Sequence, residues 1–296
     1  MNLKKMTTEQ RNPRTMNLDE LNSLEIVTLM NSEDALVAQA ISKKLPNIAK
    51  AVDWFVEAYQ KGGRIFYVGA GTSGRLGVLD AAECLPTFGI ASDRVVALIA
   101  GGSKAMLKAV EGAEDDCAQG QKDLEAYNLN SNDLVIGLAA SGRTPYVQGA
   151  LNYANELNCN SVAIACNENT IIGSIAKLAI EVDSGAEVLT GSTRLKAGTA
   201  QKLILNMLST ASMVQLGKAY SNLMVDVIQS NEKLRLRAIN IVVEATGCDS
   251  AMAAEKLRLA QGQVKKAVVM ILAACDLKTA NQLLEKSNGK VKLAIK

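Results

Sequence analysis

Short apolar segments alternate with longer helical patterns through the middle of this 296-residue chain. The apolar runs are RIFYVGAG from Arg64, RVVALIAGG from Arg94, DLVIGLAASG from Asp133, SVAIACNEN from Ser161 and LAIEVDSG from Leu178. Helical periodicity lies between them at about 73–84, 103–127, 144–157 and 171–177. This alternation predicts an α/β fold in which a parallel five-stranded sheet is flanked by helices on both faces.

Helical patterns also lie before and after this region. Residues 33–61 carry apolar side chains every three or four positions, and Pro46 predicts a break between two helices. A long helix is expected to run to about Lys218, and the chain beyond Ser230 has a helical pattern throughout. Near its end, CDSAMAAEKLRLAQGQVKKAV from Cys248 recurs as CDLKTANQLLEKSNGKVKLAI from Cys275, a shift of 27 residues. Two such helical pairs are expected to bury their apolar faces on each other.

We therefore predict three parts. Residues 1–55 form an N-terminal helical arm that packs on the core. Residues 56–230 form the sheet domain, and residues 231–296 form a small helical C-terminal domain that contains the repeat.

Composition argues against several classes of function. Lysine plus arginine (32) nearly balances aspartate plus glutamate (30), and aromatic residues make up 3% of the chain, so no nucleic-acid surface is expected. No apolar run of about 18 residues and no apolar signal core are found, so we expect a cytoplasmic protein outside the membrane. The six cysteines lack C-x-x-C spacing and are expected to be reduced thiols. Histidine is absent, which excludes a Ser-His-Asp triad and a histidine-based metal site.

The loop after the first strand has the spacing Gly69-x-Gly71-x-x-Gly74. A nicotinamide site needs an acidic residue at the end of the second strand, but that strand ends in Ala, Gly, Gly and Ser. We therefore expect no nicotinamide cofactor. The glycines alone indicate a tight strand-to-helix turn, and Thr72 with Ser73 at the start of the next helix suits a phosphate.

The loop after the third strand repeats this arrangement. Ser141, Gly142, Arg143 and Thr144 come directly before Pro145, which marks a helix start. One interpretation is that Thr144 only caps the helix. Two hydroxyl-bearing loops on one sheet instead favour a phosphorylated small ligand. The third loop, LTGSTRLKAG with Ser192 and Lys196, either closes over a sugar or is an ordinary exposed turn.

Two carboxylates are candidates for proton transfer. Glu83 lies in the apolar stretch LDAAECLPTFG, where burial would favour the protonated form that a general acid needs. Glu114 lies in AVEGAEDD, and its sequence context does not separate it from its acidic neighbours Glu111, Asp115 and Asp116.

Five segments resemble one family almost throughout the chain: TTEQRNP, GGRIFYVGAGTSGRLGVLDAAECLPTFG, AVEGAEDD, AASGRTPYV and EVLTGSTRLKAGTAQKLILNMLST. This family is the N-acetylmuramic acid 6-phosphate etherases, which belong to the sugar isomerase (SIS) domain group. The chain departs from the family at Leu85, where proline is expected, and at Leu195, where methionine is usual. Neither change removes a reactive group.

The resemblance implies an enzyme that cleaves the D-lactyl ether of its amino sugar phosphate, giving N-acetylglucosamine 6-phosphate and D-lactate in cell-wall sugar recycling. It implies Glu83 as proton donor and Glu114 as the second active-site carboxylate. It implies a homodimer, because SIS domains typically bind substrate between two copies. The absence of histidine and of an acid on the second strand predicts that no cofactor and no metal is required. Two alternatives are a non-catalytic sugar-phosphate sensor similar to the glucokinase regulatory protein and an aldose–ketose isomerase.

Overall fold

The computed structural model describes residues 6–229 and 231–296. Residues 1–5, in the predicted arm, and Ser230, at the predicted end of the sheet domain, lie outside the described residues. The chain divides into two compact units, which we describe separately. The sheet unit comprises the described residues up to Ala81 together with Asp93–Ser209, and the helical unit comprises Ala82–Ser92 and Thr210–Lys296. The bounds of the three predicted domains stay a prediction.

Five parallel strands form the centre of the sheet unit, in the spatial order β2-β1-β3-β4-β5. They are β1 (Ile65–Gly69), β2 (Val95–Ile99), β3 (Leu134–Leu138), β4 (Asn160–Ala165) and β5 (Leu178–Glu181). Every residue of β1 and β3 is buried, because helices cover both faces of the sheet. The predicted fold class, a parallel five-stranded sheet flanked by helices, is therefore confirmed.

Seven α-helices accompany the strands. They are α1 (Ser23–Ser42), α2 (Leu45–Gln60), α3 (Gly71–Phe88), α4 (Cys117–Glu125), α5 (Pro145–Glu156), α6 (Ile171–Ile175) and α7 (Lys196–Gln215). Helix α5 packs on β1, β3 and β4, and α2 packs on β1, β3 and β5. The final residues of α3 and α7 belong to the helical unit.

The N-terminal helices begin earlier than predicted. Short 3₁₀ helices at Thr7–Glu9, Pro13–Thr15 and Leu18–Glu20 precede α1. Helix α1 then starts at Ser23, because Asn22 accepts a hydrogen bond from the backbone of Glu25 while the Glu25 side chain accepts one from the backbone of Asn22. The predicted break is observed, since Pro46 lies in the first turn of α2.

The helix predicted over 103–127 is wrong. The segment instead contains 3₁₀ helices at Gly102–Met106 and Ala113–Asp115, and only Cys117–Glu125 is α-helical. Gly112 interrupts it with φ of 75°, a left-handed conformation that glycine adopts without strain. Asp116 then starts α4 by accepting a hydrogen bond from the backbone of Gln119. The result is an irregular loop that carries Glu114.

Five helices make up most of the helical unit: α8 (Glu232–Thr246), α9 (Ser250–Leu259), α10 (Val264–Leu272), α11 (Leu277–Lys286) and α12 (Val291–Ala294). Two short antiparallel strands, β6 (Ala219–Tyr220) and β7 (Leu223–Met224), precede them. Buried side chains from α8 to α12 form one hydrophobic cluster.

The 27-residue repeat has a structural counterpart in this unit, because α9 with α10 matches α11 with α12. Asp249 caps α9 through the backbone N–H of Met252, and Asp276 caps α11 through that of Thr279, both at 2.8 Å. A glycine with positive φ follows each of these helices, Gly262 at 79° and Gly289 at 75°. The recurring aspartate and glycine therefore set the start and the end of each first helix.

Within the described residues, no single helix combines the length and the apolar composition needed to cross a membrane. Helices α10 and α11 pass that test only as a pair, and the chain bends by 100° between them.

Candidate active site

The carboxyl ends of the five strands lie along one edge of the sheet, because all five run in the same direction. The order reverses between β1 and β3, since the chain goes from β1 outwards to β2 but from β3 to β4 and β5 on the other side. In open α/β sheets, the loops at such a reversal leave a crevice in which ligands bind. The loops after β1 and β3, residues 70–73 and 139–144, border this crevice.

The loop after β1 is short because α3 begins directly against the strand. A Cβ atom at Gly69 would lie 2.8 Å from the backbone nitrogen of Gly74, and one at Gly74 would lie 2.7 Å from the carbonyl oxygen of Gly69. Only glycine at both positions allows this approach. The interpretation of the G-x-G-x-x-G spacing as a tight turn is therefore confirmed. It places Thr72 and Ser73 in the first turn of α3, where backbone N–H groups are free for an anion.

Ser73 is buried and donates a hydrogen bond of 2.8 Å to the side-chain oxygen of Gln201 on α7. Gln201 is itself fully buried, and its side-chain amide nitrogen has no hydrogen-bond partner among the described residues. A buried donor without a partner is costly, so this amide suits an oxygen atom of a ligand. Sequence reasoning missed Gln201 because it lies 128 residues from Ser73 and belongs to no motif.

The third predicted loop lies beside the first. A Cβ atom at Gly198, in the first turn of α7, would lie 3.6 Å from Cγ2 of Thr72. Ser192 is half-buried in this loop, and its neighbour Arg194 is exposed. The structure thus brings the start of α7 to the β1 loop, while the roles of Ser192 and Lys196 stay predictions.

Lys196 is only 2% exposed, and its ammonium nitrogen lies 2.7 Å from Oε2 of Glu33 on α1. Glu33 also pairs with Arg14 of the N-terminal segment. The backbone N–H of Lys196 donates to Glu187, whose pKa is raised because the carboxylate is desolvated by burial. The ammonium of Lys196 therefore has a carboxylate partner within the chain, which lies 163 residues away and could not be predicted from local sequence.

The loop after β3 presents groups without partners. Thr144 lies at the N-cap position of α5, but its hydroxyl makes no hydrogen bond to the helix, so the interpretation of Thr144 as only a cap is wrong. Arg143 is half-buried and forms no ion pair with any described residue. Ser141 accepts a 3.3 Å hydrogen bond from the backbone N–H of Arg143. Gly142 has φ of 70° and packs directly on Thr170.

Asn167, in the loop after β4, ties the N-terminal segment to this edge. Its side-chain nitrogen donates to the carbonyl oxygen of Ala140 at 3.1 Å and to the hydroxyl of Thr8 at 3.0 Å. The backbone N–H of Thr8 donates back to Asn167 at 3.3 Å. This buried pair holds the TTEQRNP segment at the β3 loop, a contact between residues 159 positions apart.

Glu114 lines a cavity of about 200 Å³ beside the β1 loop. The wall of this cavity includes Ala70 and Gly71 of that loop, and Arg75 and Glu111 are its other charged residues. Arg75 donates to the carbonyl oxygen of Met106 at 3.2 Å and forms no ion pair with the described residues. The acidic neighbours Asp115 and Asp116 do not line the cavity. The structure therefore separates Glu114 and Glu111 from the other two acidic residues.

Glu83 has a different setting. It lies on α3 about three turns after the start of the helix, and its side chain is exposed. The burial expected from its apolar neighbours is wrong for the single chain, because Ala82, Leu85 and Pro86 are exposed too and only Cys84 is buried. Helix α3 lies at the surface here and buries only one of its faces, so an apolar local sequence does not ensure that every residue is buried.

The carboxyl group of α3 that is withdrawn from water is instead that of Asp80, which is half-buried. It accepts hydrogen bonds of 2.9 Å from the hydroxyl groups of Tyr67 and Ser209. Burial raises its pKa from 3.8 to about 6, although both hydrogen bonds and Lys202 act in the opposite direction. Sequence reasoning missed Asp80, because its partners lie on β1 and α7.

Two family comparisons match the sheet. The SIS domain matches residues 117–211, and the glucokinase regulatory protein N-terminal SIS domain matches residues 47–155. The chain is 56% identical to the N-acetylmuramic acid 6-phosphate etherase of Halalkalibacterium halodurans, over 99% of this chain and 98% of that protein. It is also 56% identical to the etherase of Serratia proteamaculans, over 100% of this chain and 99% of that one.

The chain belongs to the N-acetylmuramic acid 6-phosphate etherase family. The predicted family and the predicted class of enzyme, an etherase, are thereby confirmed. Among solved structures, the phosphoheptose isomerase of Neisseria gonorrhoeae has a TM-score of 0.51 at 17% identity, over 64% of this chain and 99% of that one. At that identity the likeness shows the SIS fold alone.

Proposed function

We propose that this etherase removes D-lactate from N-acetylmuramic acid 6-phosphate by elimination and then adds water, which gives N-acetylglucosamine 6-phosphate. One observation carries the assignment of the site. The unpartnered groups of the β3 loop and the cavity lined by Glu114 both lie at the carboxyl edge of the sheet, on either side of the β1 loop. This arrangement suits a phosphate anchor next to a proton-transfer group.

The chemistry explains why these two parts are needed. An ether resists simple hydrolysis, but once the sugar ring opens, the C1 aldehyde makes the proton on C2 acidic. A base removes that proton, and an acid protonates the lactyl oxygen as its bond to C3 breaks. Water then adds across the C2–C3 double bond and replaces the lactyl group with a hydroxyl. No step transfers electrons, so we propose that no nicotinamide is required, and because two glutamates perform both proton transfers, we propose that no metal is required.

The phosphate anchor consists of the first turn of α3 and the β3 loop. Its groups are the hydroxyls of Thr72, Ser73, Ser141 and Thr144, the backbone at Gly142 and the guanidinium of Arg143. Helix starts favour anions, and Arg143 adds a charge that no described residue neutralises. Binding energy at the phosphate holds the distant C2 and C3 atoms in position. Ser192 contacts the sugar from the third loop. We propose that the ion pair between Lys196 and Glu33 holds this third loop in position over the substrate.

Glu114 is the base that removes the C2 proton. It lines a cavity beside the β1 loop, within reach of a sugar anchored there. Arg75 lines the same cavity, and its terminal N–H groups donate to no described residue, so it can offset the negative charge that develops on the C1 carbonyl oxygen.

Glu83 is the acid, and a second copy of the chain covers it. Leu79, Ala82, Glu83 and Pro86 are spaced so that they share one face of α3, and all four are exposed. Leu79 is 50% exposed, which is unfavourable for a large apolar side chain in water. A homodimer that covers this face would bury Leu79 and shield Glu83 from water, as a general acid requires. We place the enzyme in the cytoplasm, where charged sugar phosphates are retained.

A direct assay tests the proposed function. Purified protein is incubated with N-acetylmuramic acid 6-phosphate after exhaustive chelation and without nicotinamide, and D-lactate and N-acetylglucosamine 6-phosphate are measured. Equal amounts of the two products are expected. Binding without lactate release would instead indicate a sensor, and hexose phosphate interconversion without lactate would indicate an isomerase. Activity that is lost on chelation and restored by a metal would contradict the cofactor-free mechanism.

A further inference from the structure

A cavity of about 670 Å³ lies entirely within the helical unit and has an excess of positive charge in its wall. Its basic residues are Lys218, Arg235, Lys265 and Lys266, and its one acidic residue is Asp226. The wall therefore carries four cations and one carboxylate. None of these residues belongs to the etherase site proposed above.

The single carboxylate, that of Asp226, pairs with two of the lysines. Oδ2 of Asp226 lies 2.6 Å from the ammonium nitrogen of Lys265 and 3.2 Å from that of Lys218. These side chains are 13% and 20% exposed, so two largely buried cations use one carboxylate oxygen. Arg235 and Lys266 form no ion pair with any residue that the structure describes. Three positive charges in the cavity wall therefore have no counter-charge among the described residues, although Arg235 is exposed and Lys266 is half-buried.

The pKa of Lys265 reflects the repulsion between these cations. Burial lowers the pKa of Lys265, Asp226 acts in the opposite direction, and the charge of Lys218 lowers it further. Lys218 and Lys265 are largely buried and interact through a lower effective dielectric constant than in water, so their mutual repulsion is larger. An anion that enters the cavity would relieve this repulsion.

The rest of the wall fits a small organic anion. Val225, Val227, Val264 and Leu284 provide apolar surface, and the exposed Gln261 and Gln263 add carboxamides to the wall. The volume is in the range of small-molecule sites. A phosphate monoester has up to two negative charges and several acceptor oxygens, which matches three uncompensated cations better than a single carboxylate does.

We propose that this cavity of the helical unit is a binding site for a phosphate monoester. Lys266 and Arg235 supply the free cations, and the Lys218–Asp226–Lys265 cluster supplies the base of the site. The apolar side chains contact the organic part of the ligand. The proposal does not depend on the chemistry at Glu83 or Glu114.

Methyl NMR of the full-length protein, labelled at valine and leucine, tests this site. Inorganic phosphate is added at constant ionic strength, with sodium chloride replaced by phosphate. The methyl signals of Val225, Val264 and Leu284 are expected to shift and to saturate. In R235Q/K266Q, which leaves the Asp226 cluster intact, the dissociation constant read from these signals should rise at least about ten-fold.

K278Q/K286Q is the matched control, because both lysines are exposed residues of the same unit outside the cavity wall. It should bind phosphate like the unmodified protein. The single variant K266Q should give an intermediate constant and serves as the test if the double variant does not fold. Cavity methyls that do not saturate would overturn the proposal. So would shifts that R235Q/K266Q leaves unchanged, or that the control pair weakens equally.

Titrations with N-acetylglucosamine 6-phosphate and with N-acetylglucosamine separate two sources of the anion. Tighter binding of the sugar phosphate than of inorganic phosphate would show that the site takes a sugar phosphate. Equal binding would show that it recognises the phosphate group alone. Binding of the uncharged sugar as tight as that of its phosphate would contradict the proposal, because the cations would then contribute nothing.

Discussion

The two glutamates proposed for catalysis are both exposed in the single chain but have different surroundings. Glu114 lies on an irregular loop after β2 and lines a cavity that also holds Arg75 and Glu111. Glu83 lies on a regular helix, exposed, with other exposed residues on the same face. The same side-chain type therefore meets a cavity wall in one place and an open surface in the other.

This difference indicates which part of the site one chain can complete. A base at Glu114 needs only the β1 loop and its own cavity. An acid at Glu83 needs a covering that no group described around it supplies. The proposed dimer provides that covering. Variants of the glutamates, of the phosphate anchor and of the half-buried Asp80 are expected to differ in how much activity they lose.

The largest effect is expected from the glutamates themselves. Replacing Glu83 or Glu114 with glutamine keeps the shape but removes a proton-transfer group. Lactate release should fall by a factor of at least about 100 in each variant. A coupled D-lactate assay measures it, and D115N, an exposed neighbour of Glu114 outside the cavity, is the control. If both glutamine variants release lactate at the unmodified rate, neither glutamate is catalytic.

Heterodimers decide whether the two glutamates come from different chains. A purified heterodimer of one E83Q chain and one E114Q chain contains one intact site if each site combines both subunits. It should then have about half the activity of the unmodified dimer. A heterodimer of an unmodified chain and an E83Q/E114Q chain should be inactive, because both of its sites lack one glutamate. The reverse pattern would place both glutamates in the same chain's site.

Variants of the phosphate anchor should have a smaller effect on activity. They should weaken ligand binding, and one of them should also lower the stability of the fold. S141A should weaken binding of N-acetylglucosamine 6-phosphate by about 1.5–3 kcal/mol, the value of a hydrogen bond to a charged group. S73A should weaken it similarly and also lower the free energy of unfolding by about 1–3 kcal/mol, because Gln201 loses its donor. Calorimetric titration and urea unfolding measure the two effects, with the exposed S131A as control. Unchanged affinity in both variants would place the phosphate elsewhere.

The smallest effect on activity is expected from Asp80, the half-buried carboxyl about one turn before Glu83. Because its pKa is raised from 3.8 to about 6, the folded state binds this proton more tightly than the unfolded state. Its contribution to stability is therefore full below about pH 4 and is lost as the pH rises through about 6. D80N should remove this decline, a relative change of ~3 kcal/mol in urea unfolding between these pH values.

The surface variant D53N should keep the decline in stability. Lactate release by D80N should retain the pH profile of the unmodified protein. A lost acidic limb in that profile would mean that Asp80, rather than Glu83, handles the proton.

Local sequence predicted the sheet well, because each strand is a short apolar run, and the central strands β1 and β3 are buried on both faces. Residues 134–138, for instance, contain no polar side chain and are buried throughout. The β1 and β3 loops were also predicted, since the glycine spacing and the Thr144-Pro145 pair determine the backbone only of residues close to them in sequence. The segment 103–127 was wrongly predicted as a helix, because its apolar periodicity gives no indication that Gly112 adopts a left-handed conformation.

The features that local sequence could not predict depend on distant partners. Lys196 meets Glu33 across 163 residues, and Ser73 meets Gln201 across 128. Glu83 was expected to be buried from its apolar neighbours, but burial on a helix depends on which face packs against other elements. Glu114 was separated from Asp115 and Asp116 only when the cavity was seen.

Proton exchange at C2 tests the central claim, that Glu114 is the base and Glu83 the acid, most directly. E83Q and E114Q are incubated with N-acetylglucosamine 6-phosphate in heavy water, and the C2 proton is followed by NMR. The account predicts that E83Q still exchanges this proton, because its base remains, while E114Q does not. Exchange that is lost in E83Q and kept in E114Q would contradict the account by reversing the two roles.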